Sequence, residues 1–147
     1  MTMPPIGPLK ALIVHHTATS QWCSVDALRA MHVNDNGWDD IGYHYFVTNE
    51  PADDAIRMTS PLHYCRPFDR MGAHAKGHNR GTLALAIAGD NTVEGRHWTP
   101  AQIQAGQRVI DAFQLLYPGL PVLGHREVAD TLCPGVDLKE VFVLGGS

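Results

Sequence analysis

The sequence predicts one α/β domain with a mixed central β-sheet flanked by helices. Three observations lead there. Short apolar runs of strand character alternate with helix-type segments along the chain. One helix announces its own start by a cap and a proline at Thr99-Pro100. The chain is 147 residues long, 44% apolar and only 18% charged, which suits a globule with one core and excludes a disordered tail or a coiled coil. No repeat or linker divides it, so residues 1–147 read as a single domain.

The elements follow in order. Residues 11–16, Ala-Leu-Ile-Val-His-His, form a continuous apolar run ending in polar groups. This predicts a buried central strand whose last residues emerge at the sheet edge, with His15 and His16 on opposite faces. Ser24 is placed to cap a helix with Asp26 in its first turn, Leu28 and Met31 on one face, and Asn36-Gly37 as the stop. Residues 43–48, Tyr-His-Tyr-Phe-Val-Thr, are aromatic and β-branched and read as a second strand, entered through a turn at residues 39–42. Residues 49–81 are turn-rich, with short strands expected near Ile56 and Leu62; an irregular stretch of that length in a small domain is usually functional. Residues 82–88, Thr-Leu-Ala-Leu-Ala-Ile-Ala, make another buried strand, ended by Gly89-Asp90. From Thr99, Ile103, Ile110, Phe113 and Tyr117 recur at near-helical spacing until Pro118-Gly119. Residues 121–124 give a short strand, a Cys-Pro-Gly loop follows, and Asp137 starts a last short helix.

Composition narrows the function. Fifteen acids against 11 Lys and Arg give a formal charge of −4, which argues against a protein held on nucleic acid by its net field. The first ten residues and the brief apolar run after them read as neither a secretory signal nor a membrane span. Nine His point to metal or acid–base chemistry. Three Cys make a poor disulfide framework and suit a thiol used for chemistry or a metal, with Cys23 and Cys65 expected as free thiols.

His15 or His16, together with His125 and Cys133, offers two imidazoles and a thiolate. That set suits Zn²⁺, and three protein ligands leave a fourth position open for water, as in hydrolases. The eight-residue gap from His125 to Cys133, followed by Pro134-Gly135, lets one loop bring both to one ion. Taken singly, each of these residues is better explained as a core or surface side chain. A closed structural site would need a fourth protein ligand such as His16 or His74.

Four motifs carry a family resemblance over most of the chain: Ile13-Val14-His15-His16-Thr17-Ala18-Thr19, Gly42-Tyr43-His44-Tyr45, Gly72-Ala73-His74-Ala75-Lys76-Gly77-His78-Asn79, and Gly124-His125-Arg126-Glu127-Val128 through Cys133-Pro134-Gly135. In this order they resemble the zinc-dependent N-acetylmuramoyl-L-alanine amidases that include small phage endolysins and the peptidoglycan recognition proteins. The resemblance implies that family's fold. It also implies zinc on His15, His125 and Cys133, an active-site Tyr at Tyr43, and a further polar catalytic residue at Thr131, where small phage enzymes often have Lys. Thr131 can orient water or an oxyanion but has no useful pKa to be the acid.

His74 is then either a helper near the leaving amine or a loop residue shaping the substrate groove. His44, following Tyr43 in a strand, is read as a packed, hydrogen-bonded core residue. Glu127 serves as a base, an outer-shell partner or a surface ion pair. Between Pro61 and Thr82, Arg66, Arg70, Lys76 and Arg80 face Asp69 alone, a basic loop in an acidic chain. Arg66, Lys76 and Asn79, with His74, are the candidates for holding the stem-peptide carboxylates of peptidoglycan.

The implied protein is a monomeric phage or prophage endolysin without a separate wall-binding module. It would be made in the cytoplasm and released to the wall with help such as a holin, without stable membrane association. The alternatives are a cytoplasmic muropeptide-recycling amidase and a non-catalytic peptidoglycan-binding module.

Overall fold

The computed structural model describes residues 3–49 and 61–145. Five strands, β1 (Ala11–His16), β2 (Tyr45–Val47), β3 (Leu62–Tyr64), β4 (Thr82–Ile87) and β5 (Val122–Gly124), form one mixed sheet in the order β3-β2-β4-β1-β5. β1 runs parallel to both β4 and β5, β2 is parallel to β4, and β3 is antiparallel to β2. The α/β class expected from the sequence is the one that forms. The strand expected near Leu62 is β3; the one near Ile56 lies outside the described residues.

Alternation along β4 sorts the two faces. Leu83, Leu85 and Ile87 enter one core with Leu12, Val14, Tyr45 and Val47, whereas Ala86 and Ala88 enter a second with Phe46, Leu28 and Ile41. The first face is covered by α2 (Pro100–Leu116), which starts at the capping box of Thr99 and Gln102 and packs Ala105, Val109, Ile110 and Phe113 against the strands. α3 (Leu138–Val141), capped by Asp137, adds Leu138 to the same core. No helix among the described residues is long and apolar enough to cross a membrane.

The second face is covered by α1 (Val25–Arg29), capped by Ser24 as expected. The predicted helix reaches Asn36, but beyond Arg29 it continues as a π-helical segment, Ala30–Asp35, before Gly37 adopts φ +72°. His32, four residues after the buried Leu28, continues the inward face and is buried, although the sequence placed no functional weight on it. This is also the face that carries His15, because His15 pairs with Ala86, and Ala86 with Phe46, in one row across the sheet. His15 therefore lies within the covered sheet surface, only 2% exposed, rather than emerging at an edge.

Candidate active site

Register brings the first two histidines of the site together. β5 pairs with β1 so that Gly124 lies opposite Val14, and the next residues along the two parallel strands are His125 and His15. Their ring centroids are 4.5 Å apart. Glycine is needed at 124 because a Cβ there would come within 2.9 Å of the Pro134 ring.

A tight loop supplies the third group. The Arg126 amide donates to the Cys133 carbonyl at 2.7 Å, closing residues 126–133 into a hairpin-like excursion. Asn91 then stitches that loop to the sheet: its Nδ2 donates to the Pro134 carbonyl at 2.9 Å, and its backbone N–H donates to His16 Nδ1 at 3.2 Å. As a result Cys133 Sγ sits 3.8 Å from His15 Nδ1 and 3.6 Å from the His16 carbonyl. His15, His125 and Cys133 form a group whose ligand atoms all lie within 4.8 Å of one another, an arrangement able to hold a metal ion. Among the described residues that group has three members. His16 is turned to Asn91 and to Asp90, 3.8 Å away, and does not join it.

The electrostatics suit a cation. Burial, reinforced by the neighbouring His74 and His125, holds His15 well below the ordinary imidazole range, so its ring is neutral. Burial, then His78, lowers His125 as well. Burial, joined by the negative charge of Asp90 and opposed in part by the hydrogen bond to the His16 backbone, pushes the Cys133 thiol up to about 11.

Tyr43 closes the site, its ring 5.2 Å from that of His15. Two glycines make that approach possible: a Cβ on Gly42 would fall 2.2 Å from the Ala73 carbonyl oxygen, and one on Gly72 would fall 2.7 Å from the Gly42 carbonyl oxygen. His32 holds the same turn from beneath. Its Nδ1 accepts the Gly42 amide at 2.8 Å and its ring packs edge-on against Tyr43 at 5.3 Å. Burial raises the Tyr43 phenol above its ordinary pKa, followed in effect by Cys133 and Cys23, so it remains an O–H donor.

The N-acetylmuramoyl-L-alanine amidase family model matches residues 5–136. The chain belongs to that family. The endolysin of Escherichia phage T7 is 32% identical to it over 134 residues, covering 88% of this chain and 82% of the relative. Among solved structures, the Ph2119 endolysin of a Thermus scotoductus bacteriophage superposes with a TM-score of 0.80 at 26% identity, covering 95% of this chain and 86% of the other. A Drosophila peptidoglycan recognition protein LB variant in complex with tracheal cytotoxin gives 0.70 at 26% identity, covering 90% and 79%.

In this amidase several residues singled out from the sequence take other places. Arg66 is only 7% exposed, its guanidinium donating to the carbonyls of Ile41, Met71 and Asp40 at 3.1, 2.8 and 3.2 Å. A buried guanidinium spent on backbone carbonyls ties the Tyr43 turn to the basic loop. Asn79 Oδ1 accepts the amides of His74 and Ala75, so that atom braces the loop. Lys76 is exposed on the same loop. Thr131, partly buried, accepts the Cys133 amide at 3.3 Å, which shapes the turn that presents the thiol. Glu127 accepts the Gly124 amide through Oε2 at 2.6 Å and caps the 3₁₀ turn His125–Glu127. His74 bonds His15 Nε2 through Nδ1 at 2.9 Å and lies near Thr82 Oγ1 at 3.2 Å through Nε2. Burial pushes it down to about 3, so it is neutral and carries no spare proton for a leaving amine. Cys23 and Cys65 are free thiols. A cavity of about 550 Å³ lined by Tyr45, Tyr64, Phe113 and Tyr117 lies on the α2 side of the sheet, away from this cluster.

His44 is the buried core residue its strand position implies, 1% exposed, with Nδ1 accepting the Ala84 amide at 3.0 Å and Nε2 donating to the Arg70 carbonyl at 2.7 Å. Burial lowers it to about 4, the Arg70 carbonyl opposing only in part. Between pH 6.5 and about 4 the unfolded chain takes up a proton at this position that the folded chain refuses. Its share of stability is thus complete above that window and lost as pH falls through it, about 3 kcal/mol at most. His44→Gln is expected to flatten the acid limb of the stability curve by about 2 kcal/mol between pH 7 and pH 5, the part of that share the interval spans, read from urea unfolding at the two pH values. An unchanged limb would remove His44 as its source.

Proposed function

We propose that the protein is a zinc-dependent N-acetylmuramoyl-L-alanine amidase that cuts the bond between the muramoyl lactyl group and the first L-alanine of peptidoglycan. The observation that carries this reading is the convergence of His15, His125 and Cys133 beside Tyr43. Tetrahedral zinc with bonds of about 2.05 Å to nitrogen and 2.3 Å to sulfur needs those atoms about 3.6 Å apart. The 3.8 Å between His15 Nδ1 and Cys133 Sγ fits this with little movement.

Zinc held there supplies Lewis acidity toward the amide carbonyl and a water acidic enough to attack at neutral pH. The chain's own residues do the remaining work. The neutral imidazoles of His15 and His125 offer lone pairs without a proton to displace. Tyr43 donates its hydroxyl to the negative charge that develops on the carbonyl oxygen, and its raised pKa keeps that proton in place. The Thr131 hydroxyl, accepting only the Cys133 amide, retains a proton to orient water or the same oxygen. Lys76 and the other exposed cations of the basic loop favour a substrate bearing carboxylates, and the chain's charge of −4 favours one other than nucleic acid. Likeness to the phage relative supports synthesis in a bacterial cytoplasm and action on the wall as an endolysin; we read the acting species as a monomer.

Digestion of purified cell wall followed by mass spectrometry tests the reading: free stem peptides bearing an N-terminal alanine should appear, and a zinc chelator should stop their release. Disaccharide fragments with stems still attached would overturn it. Running intact sacculi beside soluble anhydro-muropeptides separates a lytic enzyme from a recycling one.

A further inference from the structure

Behind His15, on the side away from Cys133, a line of polar groups runs to the backbone. His15 Nε2 meets His74 Nδ1 at 2.9 Å, His74 Nε2 meets Thr82 Oγ1 at 3.2 Å, and Thr82 Oγ1 meets the His78 carbonyl oxygen. We infer that His74 is a positioning residue that, anchored through Thr82 on the His78 carbonyl, fixes His15 in the tautomer whose Nδ1 lone pair faces Cys133 and His125.

The direction of the line follows from counting protons. A carbonyl only accepts, so the single hydroxyl proton of Thr82 goes to His78. Thr82 Oγ1 must then accept from His74, which places the His74 proton on Nε2. A neutral imidazole carries one N–H, so His74 Nδ1 is a bare lone pair and His15 Nε2 has to be the donor. That leaves Nδ1 of neutral His15 unprotonated, and it is this atom that lies 3.8 Å from Cys133 Sγ. Run the other way, the line would put a proton on His15 Nδ1, aimed at the sulfur, and leave the His78 carbonyl without its donor.

The surroundings hold the line rigid. Thr82 is 6% exposed and is the first residue of β4. The His74 backbone is fixed by Asn79 Oδ1, which accepts the amides of His74 and Ala75 at 3.0 and 2.9 Å. Gly72 leaves room for the ring, since a Cβ there would fall 2.7 Å from His74 Cδ2. His74 therefore acts through His15, touching neither sulfur nor substrate; donors behind a ligating histidine commonly set its tautomer and ring angle in this way.

The functional consequence rests on the reading of His15 as a zinc ligand, whereas the donor line itself does not. In metal-free wild-type protein labelled with ¹⁵N, long-range ¹H–¹⁵N correlation should show His15 and His74 both as Nε2–H tautomers. An Nδ1–H tautomer at either ring would overturn the inference. Zinc titration against a competing chelator then compares two variants. His74→Phe fills the space but offers no acceptor and should weaken zinc binding about 10- to 100-fold, while His74→Asn, whose Oδ1 takes the place of Nδ1, should recover most of it. Equal zinc affinity in the Phe variant and wild type would overturn the positioning role. Absence of zinc binding in wild type, with both tautomers as stated, would sink the ligand reading of His15 and leave the donor line standing.

Discussion

Cys133→Ser is expected to abolish zinc retention and amide hydrolysis together. Cys133 is 8% exposed, presented by a loop that Arg126, Asn91 and Thr131 all brace, and it is the one soft ligand of the set. Serine keeps the backbone and nearly the volume but replaces a sulfur that a bound metal can hold as a thiolate with a hard alcohol that is a far poorer zinc ligand. Two imidazoles alone would hold the ion far more weakly. Metal content of the purified variant, measured beside release of stem peptides from wall, checks this. Retention of both zinc and activity would mean that the sulfur is not a ligand.

Tyr43→Phe is expected to give the opposite separation, with zinc retained and turnover slowed by about two orders of magnitude. The ring sits against His15 and His32, contacts that phenylalanine preserves, so the fold and the ligand group should be untouched. What disappears is one preorganised donor in a water-poor site, typically worth roughly 3 kcal/mol of barrier. Because the donor acts on charge that develops only as the carbonyl is attacked, the loss should fall on kcat more than on KM. A rate equal to that of the wild type would take Tyr43 out of the chemistry.

How much of this the sequence discloses depends on whether the signal is local. α2 is legible because its cap, its proline and its apolar face all lie within one segment. β4 is legible as a strand, and its leucine and alanine alternation also records which face is thickly packed. The choice between His15 and His16 is different: strand periodicity says only that they diverge, and the row through Ala86 and Phe46 decides which one meets His125. The family resemblance selected His15; the strand pairing gives the physical reason for its place beside His125.

Other roles have no local signal at all. Arg66 reads as a surface cation because its three carbonyl partners come from residues 40, 41 and 71. His32 escapes notice because its partner, the Gly42 amide, lies outside its own helical segment, so helical spacing from Leu28 predicts its burial but not its role. Glu127 gives no sign in the sequence of the Gly124 amide that its carboxylate caps. Asn91 carries no motif, yet it joins the Cys133 loop to the end of β4.

The alanine side of β4 has a consequence for precision. A methyl group has no rotamers to populate, so beside His15 the neighbouring strand presents Ala86, with no side-chain freedom to quench or to wander. Whatever positional jitter the imidazole inherits from that flank is that of hydrogen-bonded backbone.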